Sequence, residues 1–177
     1  MAYGKDVQGD STIIIPEVGI VENCKVEGNF ILSDDSKYAD ITISQPNGSK
    51  VKLREWDGDT DESQELTDKR VKHLCTKLMK EEEYKSVVNN CASFTDFINK
   101  VNKAIATVGN LNTKLRGIFI YNKKGYVTMP RYPNYLEVQT EDATKLRISD
   151  YDKASLVRPE QPKPDVDSPS GSSNDIF

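Results

Sequence analysis

Cysteine and histidine are scarce in this chain of 177 residues, with three Cys and one His. Cys24, Cys75 and Cys91 are odd in number and widely spaced, which excludes a disulfide framework and fits a reducing compartment. His73 is the sole imidazole, so no site with two histidine ligands can be built. His73-x-Cys75 with Cys24 and Cys91 lacks the close ligand pairs of a structural zinc site, and Cys75 falls on an apolar helical stripe. No metal and no other cofactor is expected. No apolar run approaches the roughly 18–20 residues of a membrane span, and Met1 to Lys5 lacks the apolar centre of a signal peptide. The expectation is an intracellular protein without membrane association. A Gly-rich phosphate loop, a nucleophile elbow and a paired-His motif are all missing. The acidic run Asp57, Asp59, Asp61, Glu62 and Glu65 reads as one flexible, solvated loop. A two-metal nuclease would need its carboxylates held by separate rigid elements. Catalysis is therefore not expected.

What is present suits one domain and a tail. Lys and Arg number 24 against 28 Asp and Glu, a formal net charge of -4. That excludes a uniformly cationic surface but leaves room for a local basic stripe.

Residues 1–11 are polar and expected to be flexible. Thr12 to Ile15 opens a β-rich domain spanning 12–155. Gly19 to Leu32 reads as one or two strands bent near Gly28. Tyr38 to Ile43 and Val51 to Trp56 alternate with period two around Pro46-Asn47-Gly48, a hairpin signature. A helical insertion over about 64–109 follows. Its first helix is capped at Thr67 or Asp68, and its second runs from Ser93 to a stop at Gly109. Strands return at Lys114 to Tyr121 and Tyr126 to Met129, around the turn Asn122 to Gly125. Further short strands are expected at Leu136 to Gln139 and Lys145 to Ile148. The fold class is thus mainly β with a helical insertion (α+β). Its order is that of a five-stranded OB-fold barrel with two helices between strands 3 and 4. Residues 156–177 have almost nothing to bury and are expected to form a disordered acidic tail.

Segment 114–135 carries Lys114, Arg116, Lys123, Lys124 and Arg131 with no acidic residue, and Phe119, Tyr121, Tyr126, Tyr132 and Tyr135. Cations for phosphates and flat rings for unpaired bases are what single-stranded nucleic acid requires. Alternation sets Leu115, Gly117, Phe119 and Tyr121 against Lys114, Arg116, Ile118 and Ile120, so either Phe119 or the two isoleucines must be core. The plainer alternative is a hairpin with core aromatics and a solvated basic face. Trp56, with Lys52 and Arg54 on its strand face, is a second stacking candidate. The alternative there is a strand-end tryptophan packed on the barrel. Lys69, Arg70, Lys72, Lys77 and Lys80 read as the solvated face of the first helix. In the tail, Asp165, Asp167 and Asp175 precede an apolar tip, Ile176-Phe177, which suits docking in a basic-rimmed pocket of a partner.

The run Val71-Lys72-His73-Leu74-Cys75-Thr76-Lys77 resembles a helix of a family of bacteriophage single-stranded DNA-binding proteins. So do Tyr121 to Pro133 and the hairpin Ile41 to Trp56, and the resemblance covers most of residues 19–140. It implies an OB-fold that coats single-stranded DNA during phage replication, recombination or repair in the cytoplasm of an infected bacterium. The ending Asn174-Asp175-Ile176-Phe177 is similar to the acidic tip of bacterial single-stranded DNA-binding proteins. It departs from them in lacking a proline before the phenylalanine and in its sparser acids. Replication or recombination proteins are the partners this tip implies. The candidate DNA contacts, Lys52, Arg54, Trp56, Lys114, Arg116, Tyr121, Lys123, Lys124, Tyr126, Arg131 and Tyr132, rest on the residues themselves. A non-enzymatic adaptor of OB-like form is the competing reading, and homo-oligomerisation stays open.

Overall fold

The computed structural model describes residues 14–160. The expected flexible start at 1–11 and the tail residues Asp165, Asp167, Asp175, Ile176 and Phe177 lie outside them. The described chain is mixed α+β, with a mostly antiparallel six-stranded sheet and four α-helices. Among the described residues no helix is long and apolar enough to cross a membrane.

The hairpin forms as the alternation requires. Strand β2 (Tyr38–Ser44) pairs with β3 (Lys50–Trp56) in unbroken register, from Tyr38 opposite Trp56 to Ser44 opposite Lys50. Ala39, Ile41, Ile43, Val51 and Leu53 point inward and are buried. At the turn the Gly48 N–H donates to the Gln45 carbonyl at 3.0 Å, and Gly48 takes φ +88°, a conformation open to glycine at little cost.

Strand β1 (Gly19–Leu32) serves two partners. Gly19 to Cys24 pairs with β4 (Leu115–Tyr121), and Lys25 to Leu32 pairs with β2. Its register shifts between Val21 and Cys24, and again between Glu27 and Ile31. Asn23 (φ 58°) and Gly28 (φ 75°) supply the left-handed residues there, as bulges commonly do. Each bulge leaves backbone groups without ladder partners, and a side-chain amide takes them up. The Asn23 N–H donates to Gln139 Oε1 at 2.6 Å. Asn102 accepts from the Phe30 N–H and donates to the Phe30 carbonyl, both at 2.9 Å. Asn102 belongs to the third helix, so the second bulge also anchors the helical insertion.

The sheet order is β3-β2-β1-β4-β5, with β5 at Val127–Thr128 and β6 (Leu136–Val138) also paired to β4. β5 lies alongside β3, yet no ladder joins them among the described residues. The hydrogen-bonded sheet is open where a closed five-stranded barrel was expected. β5 is two residues long and runs into Met129-Pro130, and a proline has no N–H to offer a ladder. A side chain bridges the gap instead. Arg70 bonds Glu55 on β3 at 3.0 Å and donates to the carbonyls of Pro130 and Arg131 just after β5.

Three helices, not two, fill the insertion: α1 (Asp61–Cys75), α2 (Glu81–Val87) and α3 (Phe94–Val108). α1 is capped at Thr60, whose hydroxyl accepts from the Ser63 N–H at 3.2 Å while Ser63 Oγ accepts from the Thr60 N–H at 3.0 Å. This cap precedes the expected Thr67 or Asp68. Asp61, Glu62 and Glu65 are therefore helical, and the first two complement the positive end of the helix dipole. Thr67 instead donates to the Trp56 carbonyl at 2.8 Å, tying α1 to the end of β3. α3 begins at Ser93 and stops at Gly109, as its pattern predicts. Lys145 to Ile148, expected as a strand, is irregular and precedes α4 (Asp150–Lys153). The expected tail boundary at 156 falls within a 3-10 turn, Ala154–Leu156, whose Leu156 packs on the core.

Candidate nucleic-acid interface

Alternation on β3 turns Lys50, Lys52, Arg54 and Trp56 outward while Val51, Leu53 and Glu55 face the core. The hairpin register sets Tyr38 beside Trp56, with ring centroids 5.0 Å apart. The Arg54 guanidinium lies 3.7 Å from the Tyr38 centroid and 5.6 Å from that of Trp56. Its Nε and Nη2 donate to Asp40 at 2.8 and 2.9 Å. Fork-shaped bonding fixes the guanidinium plane, so Arg54 braces Tyr38 and Trp56 into an ordered ledge. Trp56 remains 54% exposed. Tyr38 and Asp40 are members that the sequence reading did not single out. The Pro46-Asn47-Gly48 turn contained the signal, because it fixes which residues sit opposite Trp56 and Arg54.

The β4–β5 turn presents a second group. Asn122 Oδ1 accepts from the N–H groups of Lys124 (2.9 Å) and Tyr126 (3.0 Å), and Gly125 takes φ 84°. Lys123, Lys124 and Tyr126 are exposed and Tyr121 is half-buried. Arg131 and Tyr132 follow β5, both exposed, with the Arg131 guanidinium 5.7 Å from the Tyr132 ring. Because Arg70 joins Glu55 to the carbonyls of Pro130 and Arg131, the end carrying Trp56 and the segment carrying Arg131 lie beside each other. Nine of the expected contacts thus gather on neighbouring elements: Lys52, Arg54, Trp56, Tyr121, Lys123, Lys124, Tyr126, Arg131 and Tyr132.

Two expected contacts do not join them. Arg116 is 5% exposed. It donates to Glu22 and Glu137 at 3.1 Å, and to the carbonyls of Thr140 (2.6 Å) and Asp142 (2.8 Å). Its donors are engaged in stapling β1, β6 and the 140–142 loop, and none is directed at a phosphate. The cause is that β4 is interior, with Phe119, Ile118 and Ile120 all buried, so both of its faces are core. Lys114 is exposed but sits at the far end of β4 from the turn, roughly 25 Å away at the rise of an extended strand.

The basic run of α1 is mostly engaged as well. Lys69 pairs with Glu65 and Lys72 with Glu81, both at 2.9 Å, while Arg70 is buried with Glu55. Burial holds the Glu55 carboxyl above its ordinary range, and the Arg70 guanidinium works against that shift. His73, Lys77, Tyr132, Lys145 and Arg147, together with Glu137 and Asp152, line a cleft of about 570 Å³. His73 Nε2 accepts from the Leu136 N–H at 3.1 Å. Burial, with Lys77 and Arg70 adding to it, lowers its pKa to about 4, so it is neutral at pH 7. No group of three or more His, Cys, Asp or Glu able to hold a metal ion occurs among the described residues.

No protein-family model, curated protein or solved structure matches the chain.

Proposed function

We propose that this protein is a non-enzymatic binder of single-stranded DNA. The observation that carries the reading is the Tyr38–Arg54–Trp56 ledge, a braced aromatic surface whose Trp56 ring is open to solvent and whose Tyr38 ring is half-buried. Lys50 and Lys52 share its strand face, and Lys123, Lys124 and Arg131 lie on the neighbouring β5 side. Unpaired bases stack on such rings at roughly 1–3 kcal/mol each, while cations follow the phosphates. A duplex keeps its base faces stacked internally and cannot use the ledge. On this reading the sheet works as an OB-type barrel. β1 is shared between both halves, the helices lie between β3 and β4, and β5 is set beside β3. The resemblance to phage single-stranded DNA-binding proteins adds replication, recombination or repair as the setting. The likeness of the ending Asn174-Asp175-Ile176-Phe177 to the acidic tip of bacterial single-stranded DNA-binding proteins makes that tail tip the recruiting element for partner proteins.

Trp56 is the sole tryptophan, so its fluorescence reports on the ledge. An oligo-dT strand should quench it, with affinity falling as salt rises at a log–log slope of roughly 0.7 per phosphate neutralised. The matching duplex should bind far more weakly. Equal response to strand and duplex, or none to either, would sink the reading.

A further inference from the structure

Trp56 borders a second feature besides the ledge. Between the end of β3 and the helices lies an open cleft of about 430 Å³, a size suited to a small planar ligand. Its walls include Trp56, Phe94 and Phe97 with the carboxylates of Asp57 and Asp68, and no Lys or Arg lines it. The bond from Thr67 Oγ1 to the Trp56 carbonyl fixes the ring's strand to the turn of α1 that carries Asp68. The Asp68 carboxylate makes no hydrogen bond and no ion pair among the described residues, and Lys72 and Glu65 act on it only through space. The Tyr84 hydroxyl is buried without a hydrogen-bond partner. It lies within electrostatic range of Cys75, Asp68 and Cys91; Asp68 and Cys91 line the cleft, and Tyr84 stands behind that lining. An aromatic cleft whose lining holds unengaged acceptors and no Lys or Arg disfavours phosphate and favours a flat group with donor hydrogens.

We propose that this cleft takes one base of the bound strand and selects guanine, with Asp68 accepting from the guanine N1–H and N2–H groups. The inference deepens the single-strand reading and rests on it. An ionised carboxylate only accepts hydrogen bonds. Guanine alone presents two adjacent donors on its Watson–Crick edge, matching the two oxygens. Adenine and cytosine pair one amino donor with a ring-nitrogen acceptor, and thymine flanks its single N–H with two carbonyls that a carboxylate repels. An unstacked base read on that edge and held against aromatic rings is the ordinary mode of single-strand recognition. The flanking phosphates would pass over Lys52 and Arg54 on the outer face of the same strand end.

The test titrates Trp56 fluorescence in the full chain with an oligo-dT strand and with the same strand carrying one central dG, dA or dC. The dG strand should bind roughly tenfold more tightly than oligo-dT, the discrimination of one good bidentate contact. In Asp68→Asn that ratio should fall to near one. Comparing ratios cancels the general gain in affinity from removing a negative charge. Glu65→Gln, which removes a charge outside the cleft, should keep the preference, and thermal melting confirms that both variants fold. Equal affinity for all four strands, or a preference that survives in Asp68→Asn, overturns the proposal. Free guanosine and thymidine form a separate arm. Quenching by guanosine alone, lost in Asp68→Asn, supports the cleft even if no strand binds, a result in which only the single-strand reading fails.

Discussion

Lys52-x-Arg54 on β3 and Lys114-x-Arg116 at the start of β4 have the same spacing and opposite fates. On β3 both cations face solvent, and Arg54 braces the half-buried Tyr38 ring and the exposed Trp56 ring. On β4 the arginine is buried under β1, β6 and the 140–142 loop, and its neighbour Lys114 stands at the far end of the strand. The difference lies in what covers each strand. β3 has one apolar face, formed by Val51 and Leu53. β4 has two, with Leu115 and Phe119 on one and Ile118 and Ile120 on the other. A cation that alternates with apolar residues reaches solvent. A cation that shares its face with two isoleucines must be neutralised inside.

The largest effect expected from this contrast is on stability. Arg116→Ala removes a guanidinium bonded to two carboxylates and two carbonyls, leaving them without their donor. Hydrogen bonds to charged groups contribute about 1.5–3 kcal/mol, so urea unfolding should register a loss of about 2–3 kcal/mol. Arg54→Ala breaks a solvent-facing pair and should cost under about 1 kcal/mol, with its main effect on strand binding. If Arg54→Ala proved the more destabilising of the two, the division into a structural β4 and a working β3 would be wrong.

Binding should show the reverse order. Trp56→Ala removes the exposed ring of the ledge and should weaken oligo-dT binding by about 1–2 kcal/mol, within the range for loss of one stacking partner. Read by anisotropy of a labelled strand, the change should leave the urea midpoint nearly unmoved, since the ring is 54% exposed. Tyr126→Ala on the β4–β5 turn should act in the same direction. An unaltered affinity in both variants would place the strand elsewhere on the molecule.

Legibility in the sequence follows the same divide. The β2–β3 hairpin was readable because alternation and turn chemistry are local and agree. Ser93 and Gly109 bounded α3 for the same reason. The Thr60 cap was hidden by its acidic neighbours, which read as loop although acids are favoured in a first helical turn. α2 is only seven residues long, too short for its periodicity to stand out. Arg116 was misread because its fate depends on β6 and residues 140–142, some 20 positions along the chain. The ledge was half legible: Trp56, Lys52 and Arg54 came from one strand, whereas Tyr38 required the cross-strand register. The open seam between β3 and β5 is bridged by Arg70, whose long-range role no local pattern marks.

The cover over β4 can be loosened by acid. His73 accepts from the backbone of Leu136 on β6, and β6 pairs with β4. Its pKa is about 4 in the folded protein against an ordinary 6.5. Between those values the unfolded chain binds the extra proton, so stability rises with pH across the window. The contribution is complete above about pH 6.5 and is lost progressively as pH falls toward 4. Urea midpoints measured from pH 7 to 4.5 should therefore decline more steeply in the wild type than in His73→Gln, whose amide oxygen can still accept from Leu136. Parallel slopes would show that His73 does not report on this cover.

The smallest effect separates the two lysines. Lys52 lies on the ledge side of the molecule, and Lys114 at the remote end of β4. If phosphates run along β3 and the β4–β5 turn, Lys52→Ala should lower the magnitude of the salt slope by roughly 0.7, the value of one phosphate contact on a single strand. Lys114→Ala should leave the slope unchanged. Both variants lose one positive charge, so the long-range field weakens equally and only local contact distinguishes them. Equal slopes in the two variants would mean that binding follows net charge instead of geometry, and the contrast between β3 and β4 would then concern folding alone.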